Sequence, residues 1–137
     1  MKINLPHEHG ENINNILLQC PPSEEFTELS DIFQQLSDPN RLRLFWILCH
    51  CEECVMNLSA IMNMSSPALS HHLRYLKGGN LIEKRRDGKE VYYRAANTVK
   101  ARALHEIIKK MLALSCPNED SPIKESSCLF SEKDINS

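Results

Sequence analysis

The sequence predicts a mainly α-helical chain with a small β-hairpin wing, arranged as a winged helix-turn-helix. Three observations lead there. Apolar residues recur at helical spacing through residues 26–36 and 42–49. A short helix follows, then a second one that opens on Ser65-Ser66-Pro67 and is stopped by Gly78-Gly79. The period then changes to strand-like around Asp87-Gly88, before one more amphipathic helix.

Residues 1–22 read as an N-terminal arm. Ile13, Ile16 and Leu17 make one amphipathic turn, which Cys20-Pro21-Pro22 ends because two prolines cannot continue a helix. Ser23 reads as an N-cap followed by the acidic first-turn residues Glu24 and Glu25. Phe26, Leu29, Ile32, Phe33 and Leu36 then carry a helix to Ser37. Asp38-Pro39 starts another, Asp as cap and Pro at the first helical position. Its buried face is expected from Leu42, Phe45, Trp46, Leu48 and Cys49, with Arg41 and Arg43 pointing outward. A short helix is expected over about 58–63, and the next over 67–77 with Leu69, Leu73 and Leu76 inward. Residues 81–86 and 89–94 read as two strands joined at Asp87-Gly88, a pair that tolerates positive φ. The last helix is expected from about Thr98 to Ser115, its apolar stripe being Ala103, Leu104, Ile107, Ile108, Met111 and Leu114. Residues 23–116 thus form one domain, and 117–137 read as a disordered tail.

At 137 residues, with 42% apolar and 25% charged residues, the chain has the composition of one folded domain. Its longest apolar run, Leu44–Cys49, is far short of the ~20 residues that span a bilayer. The first fifteen residues lack the apolar core of a signal peptide, so a cytoplasmic protein is expected, with no membrane partner. The net charge of −2 hides an asymmetry. Between Ser70 and Lys110 eleven Lys and Arg face four Asp and Glu, a net +7 that leaves −9 for the rest. Such a cationic block suits a polyanion.

The helix after the short one carries groups that suit a DNA groove. Ser66, Ser70, His71, Arg74 and Tyr75 share its outward side, opposite the leucines. Ser, His and Arg donate to base edges and phosphates, and an α-helix fits the major groove. Lys84, Arg85, Arg86 and Lys89 near the hairpin tip reach for phosphates or a minor groove.

Four stretches together resemble the ArsR/SmtB family of winged-helix repressors. They are Leu36-Ser37-Asp38-Pro39-Asn40-Arg41-Leu42-Arg43-Leu44, Asn57-Leu58-Ser59, the segment from Ser65-Ser66-Pro67 through Ser70-His71-His72-Leu73 to Lys77, and Gly88-Lys89-Glu90-Val91-Tyr92-Tyr93. The likeness covers about residues 25–116. It implies a homodimer built on the first and last helices, double-stranded DNA with an inverted-repeat operator as partner, and an inducer that weakens DNA binding. The DNA-contact set expected from the helix face and the wing is Ser65, Ser66, Ser70, His71, Arg74, Tyr75, Arg85, Arg86 and Lys89.

The family's inducer sites map unevenly onto this chain. The site across the last helices falls on Asn97, Val99, Lys110 and Ala113, none a good ligand. On that helix His105, next to Glu106, reads as a packed or solvated residue. The thiol signature of another site reads Glu52-Glu53-Cys54-Val55-Met56-Asn57-Leu58, with Met56 in place of the second cysteine. The chain offers Cys49, Cys51 and Cys54 instead, with the spacing of the arsenic-sensing branch shifted five residues toward the N-terminus. Three thiolates favour thiophilic ions: As(III) in a trigonal site, or Zn, Cd or Pb with a fourth ligand from Cys20, His7 or His9. A thiol switch pairing Cys49 with Cys116 is the alternative, because Cys116 before Pro117 resembles the persulfide-sensing branch. Cys128 has no assigned role. An enzyme is not expected. Cys51-Glu52-Glu53-Cys54 is formally the C-x-x-C of a thiol oxidoreductase, but it follows a helix and sits beside two carboxylates, which raise a thiol pKa.

Overall fold

The computed structural model describes residues 3–10 and 12–113. Six helices and three strands follow in the order α1 (Ile13–Gln19), α2 (Ser23–Gln35), α3 (Pro39–Leu48), β1 (Glu53–Cys54), α4 (Val55–Met62), α5 (Ser66–Gly78), β2 (Ile82–Asp87), β3 (Glu90–Ala95) and α6 (Val99–Met111). The architecture is the winged helix-turn-helix that the sequence predicts. No helix among the described residues is long and apolar enough to cross a membrane.

Side-chain caps fix where several helices begin. Asp38 accepts from the backbone N–H groups of Asn40 (2.8 Å) and Arg41 (3.0 Å), satisfying donors that have no partner inside α3. Ser65 Oγ accepts from Ala68 N at 3.3 Å to start α5, and Thr98 Oγ1 from Ala101 N at 3.1 Å to start α6. α2 departs from expectation: its cap position is Pro22, and Ser23 is already helical. The α3 cap is also titratable. Hydrogen bonds from the Arg41 and Asn40 backbone hold the Asp38 carboxyl below its ordinary 3.8, so the cap contributes stability above that value and loses it as pH falls through the lowered one. Asp38→Ala should cost about 1 kcal/mol at neutral pH and remove this acid-side dependence. Urea titrations at two pH values check both.

The strands differ from the sequence reading at two points. The hairpin turn is Gly88-Lys89, not Asp87-Gly88, because Asp87 pairs with Glu90 and Gly88 takes the positive φ of +62°. A third strand is also present. Glu53 and Cys54 pair antiparallel with Tyr93 and Tyr92, giving the sheet order β1-β3-β2. With Cys54 at its cap position, α4 begins at Val55, three residues before the expected start.

The core lies under α5. Leu69, Leu73 and Leu76 meet Leu44, Phe45 and Leu48 of α3, Leu58 of α4, Leu81 and Ile82 at the wing root, and Ala101 and Leu104 of α6. Leu44 is fully buried, although the expected α3 face omitted it, while Leu42 and Trp46 are only half-buried. α6 divides its apolar stripe. Leu104 and Ile108 turn inward with His105, whereas Ile107 is 42% and Met111 81% exposed. In α2 Ile32 is buried but Phe26, Leu29 and Phe33 remain exposed, and α1 buries nothing.

Candidate functional site

α5 presents its polar face because its leucines at helical spacing are consumed by the core. Ser65, Ser66, Ser70, His71, Arg74 and Tyr75 are all exposed, so the structure brings the expected groove-facing set onto one continuous surface. The face is held from behind. Ser66 Oγ lies 3.4 Å from Ser59 Oγ on α4. The Tyr75 ring stands near-perpendicular to His71 at 5.0 Å, with the Arg41 guanidinium 4.6 Å over its centroid. Arg41 does not point freely outward, as the sequence suggested. It is half-buried, and its Nε donates to the Gln35 carbonyl at 2.6 Å.

The wing cations divide into anchored and exposed groups. Arg85 Nε and Nη2 both donate to Glu52 Oε1, at 3.1 and 2.5 Å, and its guanidinium lies 4.9 Å over the Tyr92 ring. Arg94 Nε donates to Glu83 Oε1 at 2.6 Å and lies 4.0 Å from Glu52. The Arg85 hydrogen bond holds the Glu52 carboxyl below its ordinary range. Arg86 Nε donates to the Gly88 carbonyl at 3.4 Å, and Lys89 is exposed in the turn. Of the three wing residues expected on the DNA backbone, Arg85 pairs with Glu52 while its side chain stays 53% exposed, and Arg86 and Lys89 lie at the tip. A cationic pair was missed: Lys77 at the end of α5 and Lys84 of β2 lie side by side, and Lys84 pushes the Lys77 ammonium below its usual range. Only tertiary structure brings them together.

The thiols stand in three different environments. Cys49 is fully buried in the core at the end of α3, and Cys54 lies in β1 with 7% exposure. Cys51 is half-buried, its Sγ donates to the Ile47 carbonyl at 3.4 Å, and burial followed by the Glu53 charge pushes its thiol up. Cys20, His7 and His9 are exposed in the arm. Cys116 and Cys128 lie outside the described residues.

Next to the thiols is a pair that the sequence did not announce. His50 Nε2, at the end of α3, lies 3.4 Å from His105 Nε2 on α6. His50 Nδ1 lies 2.7 Å from the Trp46 carbonyl, and His105 Nδ1 lies 3.6 Å from the Glu106 carboxylate. The Trp46 indole stacks on His105 at 5.1 Å. Burial is the main cause that holds both imidazoles below their usual pKa, hence neutral.

Residues 38–84 match the model of a family of bacterial regulatory proteins, the arsR family. A protein named as a transcriptional repressor SmtB homolog, from Synechocystis, is 36% identical over 92 residues, covering 67% of this chain and 70% of the relative. The chain belongs to the arsR family. An arsenical resistance operon repressor of Staphylococcus aureus is 31% identical, over 69% of this chain and 86% of the relative. The fold is shared with the homodimeric winged helix-turn-helix DNA-binding domain of a possible ArsR-family regulator from Mycobacterium bovis. That structure has a TM-score of 0.58 at 22% identity, covering 78% of this chain and 91% of that one.

Metal-sensing thiol sites need three or four donors around one point. In this arsR-family chain no three His, Cys, Asp or Glu side chains among the described residues are grouped to hold an ion. Cys49, Cys51 and Cys54 are held by three different parts of the fold: the core, the α3 end and the sheet. Of the positions onto which the family's last-helix site falls, Asn97 and Val99 are exposed around the start of α6 and Lys110 is exposed near its end.

Proposed function

We propose that this arsR-family protein is a homodimeric, cytoplasmic transcriptional repressor. It binds an inverted-repeat operator in duplex DNA and releases it when a thiophilic ion reaches its cysteines. One observation carries the reading: the exposed α5 face of Ser66, Ser70, His71, Arg74 and Tyr75, fixed on a buried leucine ridge beside a cationic wing. A rigid helix with polar donors beside cations that reach phosphates is what groove reading requires. The exposed apolar faces of α2 and α6, with Phe26, Leu29, Phe33, Ile107 and Met111, support pairing of two copies. A two-fold pair would set the two α5 helices about one DNA turn, ~34 Å, apart.

The inducer class rests on ligand softness. Thiolates favour As(III), Cd, Pb or Zn, and the relative named for arsenical resistance supports a soft ion or metalloid. Capture by all three thiols requires residues 49–54 to rearrange, since Cys49 lies in the core.

The test is fluorescence anisotropy on duplexes from the DNA flanking the coding sequence. Specific binding should show a log-log salt slope near −5, from about 6 phosphates neutralised per dimer. Equal affinity for scrambled duplex would remove the repressor reading. Release is then titrated with Zn, Cd, Pb, As(III) and polysulfide on the parent and on Cys51→Ser/Cys54→Ser. Release by polysulfide alone, lost in Cys116→Ser, would replace the ion with thiol chemistry.

A further inference from the structure

We propose that His50 and His105 are two adjacent ligands of a site for a borderline divalent cation, zinc in the first place, at the junction of α3 and α6. The geometry has three parts. The two Nε2 atoms face each other at 3.4 Å. Two zinc–nitrogen bonds of about 2.0–2.1 Å at a tetrahedral angle put their nitrogens about 3.3–3.4 Å apart, so the pair already spans one edge of a zinc tetrahedron. Each ring also has an oxygen on its other nitrogen, the Trp46 carbonyl at 2.7 Å from His50 Nδ1 and the Glu106 carboxylate at 3.6 Å from His105 Nδ1. The Trp46 carbonyl on His50 Nδ1 fixes the tautomer that leaves the His50 Nε2 lone pair for a metal, the usual outer shell of a ligating histidine, while the Glu106 carboxylate stands at ion-pair distance from His105 Nδ1.

The surroundings favour ligation over protonation. Burial keeps both rings neutral, the form that binds metal. The indole of Trp46 packs against both rings, at 4.5 Å from His50 and 5.1 Å from His105, limiting their rotation. Lys109 opposes a cation here, and the Glu106 carboxylate offsets it. His105 is 1% exposed but His50 only half-buried, so an ion would enter from the His50 side. The site shares no residue with the cysteine set and does not depend on the repressor reading. Its regulatory consequence does, because an ion there would tie the helix behind the DNA-facing unit to the helix with the exposed apolar face.

Cobalt(II) serves as the optical probe and zinc as the competitor, on the full chain. The expected result is one Co(II) per chain, with visible ligand-field bands and no thiolate charge-transfer band, displaced by Zn. His50→Gln keeps a polar side chain on the half-buried position but removes the ring, and should weaken zinc by roughly tenfold or more in chelator competition, as should His105→Gln. Circular dichroism of each variant separates lost ligation from lost folding. Three outcomes overturn the proposal: no Co(II) or Zn binding by the parent chain; affinity unchanged in folded His50→Gln; or a thiolate band with binding lost only in Cys51→Ser/Cys54→Ser. Operator affinity is measured on the same samples, so a chain that binds zinc at the pair but no DNA keeps the site and loses the repressor.

Discussion

Arg74→Ala is expected to weaken operator binding by roughly tenfold or more at fixed salt, the range for loss of one good base-edge contact. Arg74 sits exposed on the α5 face beside Ser70 and Tyr75, and makes no ion pair among the described residues, unlike Arg85 and Arg94. Its substitution therefore removes nothing that holds the fold, and the thermal midpoint should move little. A base contact predicts that the loss falls on the specific duplex more than on the scrambled one. Phosphate contact alone predicts equal loss on both and a shallower salt slope. Anisotropy on the two duplexes at two salt concentrations decides between them. Affinity unchanged on both would take Arg74 out of the interface.

The second large effect is on stability. Phe45→Ala should cost about 3–5 kcal/mol, the range for emptying a fully buried aromatic site. Phe45 is 0% exposed in the same cluster as Leu69, Leu73 and Leu76, so the cavity opens directly behind the DNA-facing helix. Such a loss is a large part of a small domain's total, commonly 5–15 kcal/mol. Urea unfolding should show the midpoint falling with the slope preserved. If the variant retains most of its stability, the packing of α3 beneath α5 is not as described.

Much of this fold was legible because its signals are local. Asp38-Pro39 and Ser65-Ser66-Pro67 announce α3 and α5 through caps that use side chains within three residues. The wing follows from alternation around a glycine that can take positive φ. What was illegible depends on partners far along the chain. Glu53 and Cys54 become a strand only because Tyr92 and Tyr93 offer them hydrogen bonds, and two residues carry no periodicity of their own. The apolar stripe of α6 could be read as a stripe, but its division into an inner half and an exposed half reflects a core that one chain does not extend over Ile107 and Met111.

The site followed the same rule. The α5 face was readable because opposite faces of one helix separate by period. The partner of Arg85 was not readable: the Glu52 carboxylate that accepts from its guanidinium lies 33 positions earlier, and the Arg85 side chain stays 53% exposed. The cysteine spacing was readable, but spacing says nothing of the core that buries Cys49 or the strand that pairs Cys54. His105 read as solitary because its neighbour His50 lies 55 residues away in sequence and 3.4 Å away in space.

The placement of Trp46 has a practical consequence. It is the chain's sole tryptophan, and its indole touches both imidazoles where the helix behind the recognition unit meets the last helix. Tryptophan emission from this protein, excited beyond the tyrosine band, therefore comes from a single, known address. Any event that shifts that junction, whether a ligand, a proton or a second subunit, will register as a change in colour or brightness without a label being attached.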